Sequence, residues 1–111
     1  MSHHIEPFSC NVTPTGDHVV IAPRGELDMA TAGALEAELR RAHEAGFSSI
    51  LLDLRGLTFM DSSGLHLVTR WAAESSRNGF KLELEPGPPA VQRIFELAAL
   101  IDQLPFRTRP G

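Results

Sequence analysis

Apolar residues recur along this chain in two rhythms, every second residue and every third to fourth, and the switches between them divide it into elements. Phe8, Cys10 and Val12 alternate with polar neighbours ahead of Thr13, Pro14, Thr15, Gly16 and Asp17, a run of turn formers that predicts a hairpin. The returning strand is expected from about His18 to Ala22, with Pro23, which has no N–H to donate, marking a strand end or an edge. Gly25 permits a sharp change of direction. Asp28 is placed to cap a helix with an apolar face of Ala32, Leu35, Leu39 and Ala42 and a stop at Gly46. Glu36 and Arg40 lie on its opposite face at a supportive spacing.

The run from Ser49 to Leu54 lacks clean alternation and reads as a central strand covered on both faces, with Arg55 and Gly56 leading out of it. Within Thr58 to Val68, TFMDSSGLHLV, the pattern changes to a helix: Leu65, Val68, Ala72 and Ser75, with Leu67 and Trp71 beside them, fall at helical spacing. Asn78 and Gly79 end that helix, and Phe80, Leu82 and Leu84 then alternate with Lys81, Glu83 and Glu85 as a half-exposed strand. Pro89 suits the first turn of a third helix lined by Val91, Ile94, Phe95 and Ala98. Leu104 and Phe106, with Pro105 between them, allow at most a short edge strand, and Arg107 to Gly111 reads as a frayed tail. A hairpin followed by alternating helix and strand predicts an α/β fold: a mixed sheet, its later strands mostly parallel through right-handed crossovers, with about three packed helices.

Composition narrows the function. The 111 residues, 42% hydrophobic and 22% charged, suit a single domain with a core from about residue 8 to residue 106. No apolar run approaches the roughly 18 residues of a membrane span. MSHHIEPFS lacks the basic and apolar regions of a signal peptide, so no membrane insertion and a cytoplasmic location are expected. A net charge of −4 with one lysine, Lys81, leaves no basic stripe for nucleic acid. The single cysteine, Cys10, has no internal disulfide partner and alternates inward. The five histidines, His3, His4, His18, His43 and His66, do not converge, so neither a metal site nor a cofactor is expected.

Candidate chemistry concentrates at Asp61, Ser62, Ser63 and Gly64, the start of the middle helix. Such an end exposes unpaired N–H groups and a partial positive charge, so Asp61 or Ser62 can cap it and an added phosphate is tolerated there. The same residue types are also ordinary capping and turn formers. A serine hydrolase elbow is absent, and His66 projects about a turn along the helix, outward. No phosphate-cradling glycine loop ending in lysine and a hydroxyl residue is present, which argues against a kinase or nucleotide hydrolase. Glu26, Asp28 and Asp61 come from two strand-to-helix corners that a parallel sheet can bring to one edge, either as caps and turn formers or as an acidic surround for the serine.

GELD (Gly25 to Asp28), ILLDL (Ile50 to Leu54), FMDSSGL (Phe59 to Leu65) and PAVQRIFELAAL (Pro89 to Leu100) follow one another in an order that resembles the STAS domain family, and within it the bacterial anti-sigma factor antagonists. The resemblance covers the chain from about Phe8 to Phe106. It implies a regulatory phosphoprotein, not an enzyme, in which Ser62 accepts phosphate from an anti-sigma factor serine kinase and a phosphatase of the PP2C type reverses it. Asp61 then matches the acidic residue before the acceptor, Ser63 the neighbouring hydroxyl, Gly64 the small residue that lets the partner's backbone approach, and Asp28 the aspartate of the same surface. Three features depart from the family pattern: Pro23 breaks the second strand, His66 stands where a small residue is common and can tune kinase docking, and Ala99 stands where glycine often ends the third helix. The competing expectations are a STAS subunit of a transport or stress-signalling complex without a sigma factor, and a small serine enzyme.

Overall fold

The computed structural model describes residues 7–107. An antiparallel hairpin of β1 (Ser9–Thr15) and β2 (His18–Leu27) is followed by α1 (Ala32–Glu44), β3 (Ser49–Asp53), β4 (Leu57–Met60), α2 (Ser62–Asn78), β5 (Lys81–Glu85) and α3 (Pro89–Leu97). The sheet runs β1-β2-β3-β5 with β4 also paired to β2, and every pairing between strands after the hairpin is parallel. The mixed sheet and the three helices are those the hydrophobic pattern predicts.

β2 is the spine of this arrangement. Its Val19 and Ile21 pair with Ile50 and Leu52 of β3, which pair in turn with Leu82 and Leu84 of β5, so strand alternation builds one continuous apolar face. Leu35, Leu39 and Ala42 of α1, Leu67, Val68 and Trp71 of α2, and Val91 and Phe95 of α3 join that face in a single core. The other face is not covered in the same way: in β3, Ile50 and Leu52 are fully buried while Leu51 and Asp53 are half-buried. The expectation of a strand covered on both faces is therefore corrected. Leu51 belongs to a row with Val20 and Glu83 on the open side of the sheet.

Proline placement explains two further differences. β2 does not stop at Ala22 but continues through Pro23 to Leu27. Pro23 falls between the stretch that pairs with β3, His18 to Ile21, and the stretch that pairs with β4, Gly25 to Leu27, so neither parallel neighbour requires its missing N–H. Likewise Pro14 lies within β1, an edge strand, opposite Val19, and the hairpin turn is confined to Gly16 and Asp17. At the other end, the expected edge strand reduces to one parallel bridge between Leu84 and Phe106. Arg107 is tied down, its N–H donating to Leu84 O at 2.8 Å and its guanidinium 3.7 Å from Glu85. The remainder of the expected tail, and His3 and His4, lie outside the described residues. Cys10 packs against the core as its alternation implies, and burial first, then Glu38, pushes its thiol up to about 11.

Two backbone positions carry measurable consequences. Gly64, in the first turn of α2, is buried, and a Cβ there would lie 2.5 Å from Met60 Cγ and 2.9 Å from both Leu27 Cδ2 and Met60 Sδ. Glycine lets the helix settle directly on the ends of β2 and β4. Gly64→Ala is expected to lower the unfolding free energy by about 1–3 kcal/mol, the usual cost of overpacking; thermal denaturation measures it, and an unchanged midpoint would mean that Met60 yields freely. At the end of α3, Leu100 N–H donates to Phe95 O at 2.9 Å and Ala99 N–H to Glu96 O at 3.0 Å, a Schellman cap with Ala99 at φ 58°. The left-handed conformation costs a non-glycine residue about 1–2 kcal/mol, partly offset by the looser unfolded chain of a glycine variant. Ala99→Gly is therefore expected to stabilise the protein by about 0.5–1 kcal/mol, a rise of roughly 2–6 °C in melting midpoint.

Candidate functional site

The site is built where β2 and β4 end side by side. Leu27 pairs with Met60, both side chains buried in the core, and Asp61 N–H donates to Leu27 O at 3.1 Å, so the parallel ladder extends to the last residue before α2. A helix follows each strand end after a short connection, which puts two helix N-termini, of α1 and α2, on one edge of the sheet. β4 is the element that the hydrophobic pattern did not resolve. It is four residues long, and Gly25, at φ 97° with a register shift to Glu26, bends β2 to meet it while its N–H donates to Gly56 O at 3.2 Å.

At the second corner Asp61 is the cap. Its backbone is extended at φ −107° and ψ −169°, and its Oδ1 accepts Ser63 N–H at 2.8 Å, while Leu65 N–H bonds Asp61 O at 3.2 Å. Of the two capping candidates, Asp61 fills the position, which leaves Ser62 as the first helical residue, exposed on the tip. Ser63 is half-buried behind it. Gly64 is buried, and a Cβ there would meet Met60 and Leu27 of this protein's own core, so internal packing by itself already requires its smallness. His66 is exposed one turn along α2, as its spacing implies.

The first corner is organised by Asp28, though not as a helix cap. Thr31 occupies that position in α1 and makes no side-chain capping bond. Asp28 Oδ1 instead accepts Ala30 N–H at 3.0 Å and Thr31 N–H at 3.1 Å, an Asx turn that folds Met29 and Ala30 outward. Thr31 Oγ1 locks the turn, accepting Asp28 N–H at 2.9 Å and donating to Glu26 O at 2.8 Å. Met29 and Ala30 separate Asp28 from the cap position at Thr31, so the aspartate binds the turn that leads into the helix, and its carbonyl oxygen accepts the N–H of Ala32, the first helical residue, at 2.9 Å. Both aspartates thus accept backbone N–H groups, and both stand on the edge that carries Ser62.

Two neighbours of this edge escaped the sequence reading. Phe59 pairs with Glu26 on the side of the β2–β4 ladder opposite the buried Leu27 and Met60, and is 46% exposed; Met29 is 84% exposed. Phe59 and Met60 are adjacent, and alternation implies that one faces in and the other out without saying which. Among the described residues no cluster of His, Cys, Asp or Glu is arranged to hold a metal, and no helix is long and apolar enough to cross a membrane. An exposed hydroxyl at a capped helix N-terminus is a place where a phosphate can be added without clashing with the core and with favourable dipole charge behind it.

Comparison with known proteins agrees with this architecture. The STAS domain profile matches residues 9–110. Over 78 residues, covering 70% of the chain and 72% of the relative, the chain is 31% identical to the anti-sigma-B factor antagonist of Staphylococcus aureus. The anti-sigma factor antagonist SpoIIAA in its unphosphorylated form superposes with a TM-score of 0.72 at 28% identity, over 93% of this chain and 90% of that one. The Bacillus cell fate determinant SpoIIAA in its phosphorylated form does so with a TM-score of 0.67 at 26% identity, over 93% of each chain. With a profile match across nearly all of its length and a relative 31% identical over 70% of it, the chain belongs to the STAS domain family.

Proposed function

We propose that this protein is an anti-sigma factor antagonist that works by partner switching. In its unmodified form it binds an anti-sigma factor kinase and so releases the sigma factor; phosphate on Ser62 blocks that binding until a phosphatase of the PP2C type removes it. The observation that carries the reading is the exposed Ser62 at the tip of α2, immediately after the Asp61 cap. Relatives that bear the name anti-sigma factor antagonist, one of them known in both unphosphorylated and phosphorylated forms, support it. Asp28 and Asp61 border the contact, with Ser63 and His66 beside it on α2.

The energetics are adequate. Phosphorylation brings a charge of about −1.5 to −2 to the helix tip. A kinase that modifies Ser62 aims the phosphates of its nucleotide at that hydroxyl, so the product dianion meets like charge. At an effective dielectric near 20, two unit charges about 4 Å apart repel by roughly 4 kcal/mol. Turning a 99:1 balance into 1:99 takes about 5.5 kcal/mol, which one dianion facing a nucleotide supplies.

Two substitutions test the reading by calorimetric titration against each purified anti-sigma factor kinase of the source organism. Ser62→Ala is expected to bind as wild type and to abolish incorporation of labelled phosphate, whereas Ser62→Asp weakens binding at least tenfold, since even about 1.4 kcal/mol of repulsion suffices for that. Equal affinities for the two variants, or phosphate incorporated into Ser62→Ala, would overturn it.

A further inference from the structure

We infer that Met29 and Phe59 are the apolar anchors by which this edge docks, and that the occupant is an anti-sigma factor kinase offering an apolar socket flanked by basic groups. The inference rests on the partner-switching reading and adds the chemistry of the contact. Among the described residues the exposed large apolar side chains are Val12, Met29, Phe59 and Leu97. Two of these stand at the corners that flank Ser62: Met29 directly follows Asp28, and Phe59 precedes Asp61 by two residues on the outward side of the β2–β4 ladder.

Their position puts them close to the ground that a partner reaching Ser62 must occupy. A stable interface buries about 800 Å² on each side, a disc of roughly 16 Å radius. Asp61 N–H is bonded to Leu27 O, and Met29 lies two Cα steps of about 3.8 Å beyond Leu27. Phe59 is three Cα steps from Ser62, so the backbone of both Met29 and Phe59, with Glu26, Asp28 and Asp61 between them, lies within reach of a partner centred on Ser62. An apolar centre with a charged rim is the anatomy of a protein interface. Methionine, unbranched and polarizable, adapts to a socket at little cost. The acidic rim calls for basic groups around that socket.

The same arrangement sharpens the switch. Seating Met29 and Phe59 expels water from the ground around Ser62, so a phosphate there must lose its hydration shell for the anchors to engage. Modification then opposes docking even where basic groups line the partner's rim, because the dianion meets the apolar centre and the nucleotide phosphates.

The test is calorimetric titration of the full chain with each purified anti-sigma factor kinase of the source organism, comparing wild type with Met29→Gln, Phe59→Gln and the pair. Val12→Gln, on the edge strand β1, serves as the control, and thermal melts accompany every variant. Each single change at an anchor is expected to weaken binding about tenfold or more, and the pair about a hundredfold, at a level consistent with anchor residues; Val12→Gln should bind as wild type. If Phe59→Gln loses its native melt, Met29→Gln decides alone, since its side chain is 84% exposed. Anchor variants that melt and bind as wild type while Ser62→Asp fails to bind would overturn the inference and leave partner switching intact. An equal loss with Val12→Gln would overturn it as well, and wild-type protein that binds no such kinase would remove both.

Discussion

The structure depends on the parallel pairing of β2 with β4. Only three residue pairs and the bond from Asp61 N–H to Leu27 O make up this ladder, yet it brings the ends of two strands distant in sequence to one edge. Leu27 and Met60 point into the core from that edge, and the backbone alternation that sends them inward sends Glu26 and Phe59 outward. The core and the surface of the site are thus two faces of the same short ladder, and neither can shift without the other.

Helix α2 is held to this edge by packing from below and hydrogen bonding from the side. Gly64 lets its first turn rest on Met60 and Leu27, and Asp61 caps the turn through Ser63 N–H. Ser62 lies between those constraints with its side chain outward, so the helix tip is positioned by its neighbours and the serine need not contribute to folding. A residue with no structural duty can change charge without unfolding the domain, which is what a phosphate-operated contact requires.

Farther along, α1 and α2 are locked to each other through Glu36. Its carboxylate accepts Trp71 Nε1–H and Arg70 Nη1–H, each at 3.0 Å, and Arg40 approaches at 3.4 Å. The exposed ion pairs contribute little by themselves. The greater part comes from the burial of the Trp71 ring, whose N–H would be costly to leave unpaired against the core. Because each helix starts at one of the two corners, this clamp also helps to hold the Asp28 turn and the Ser62 tip in fixed positions relative to each other.

Much of this was legible in the order of residues. The hairpin, the three helices with Gly79 and Pro89 at their boundaries, the inward Cys10 and the exposed His66 follow from local periodicity and turn chemistry, which act over a few residues. What periodicity could not supply depends on neighbours remote in the chain. Whether Pro23 ends a strand turns on where β3 stops and β4 begins; whether Asp28 is a cap or a turn depends on the geometry of the corner; and which of Phe59 and Met60 faces out depends on the side of β4 against which α2 packs. Gly64 shows the division most plainly. Its spacing placed it at the helix tip, but only the docked positions of Met60 and Leu27 decided that its missing side chain serves the core, because steric contact between distant segments exists only once the chain has folded.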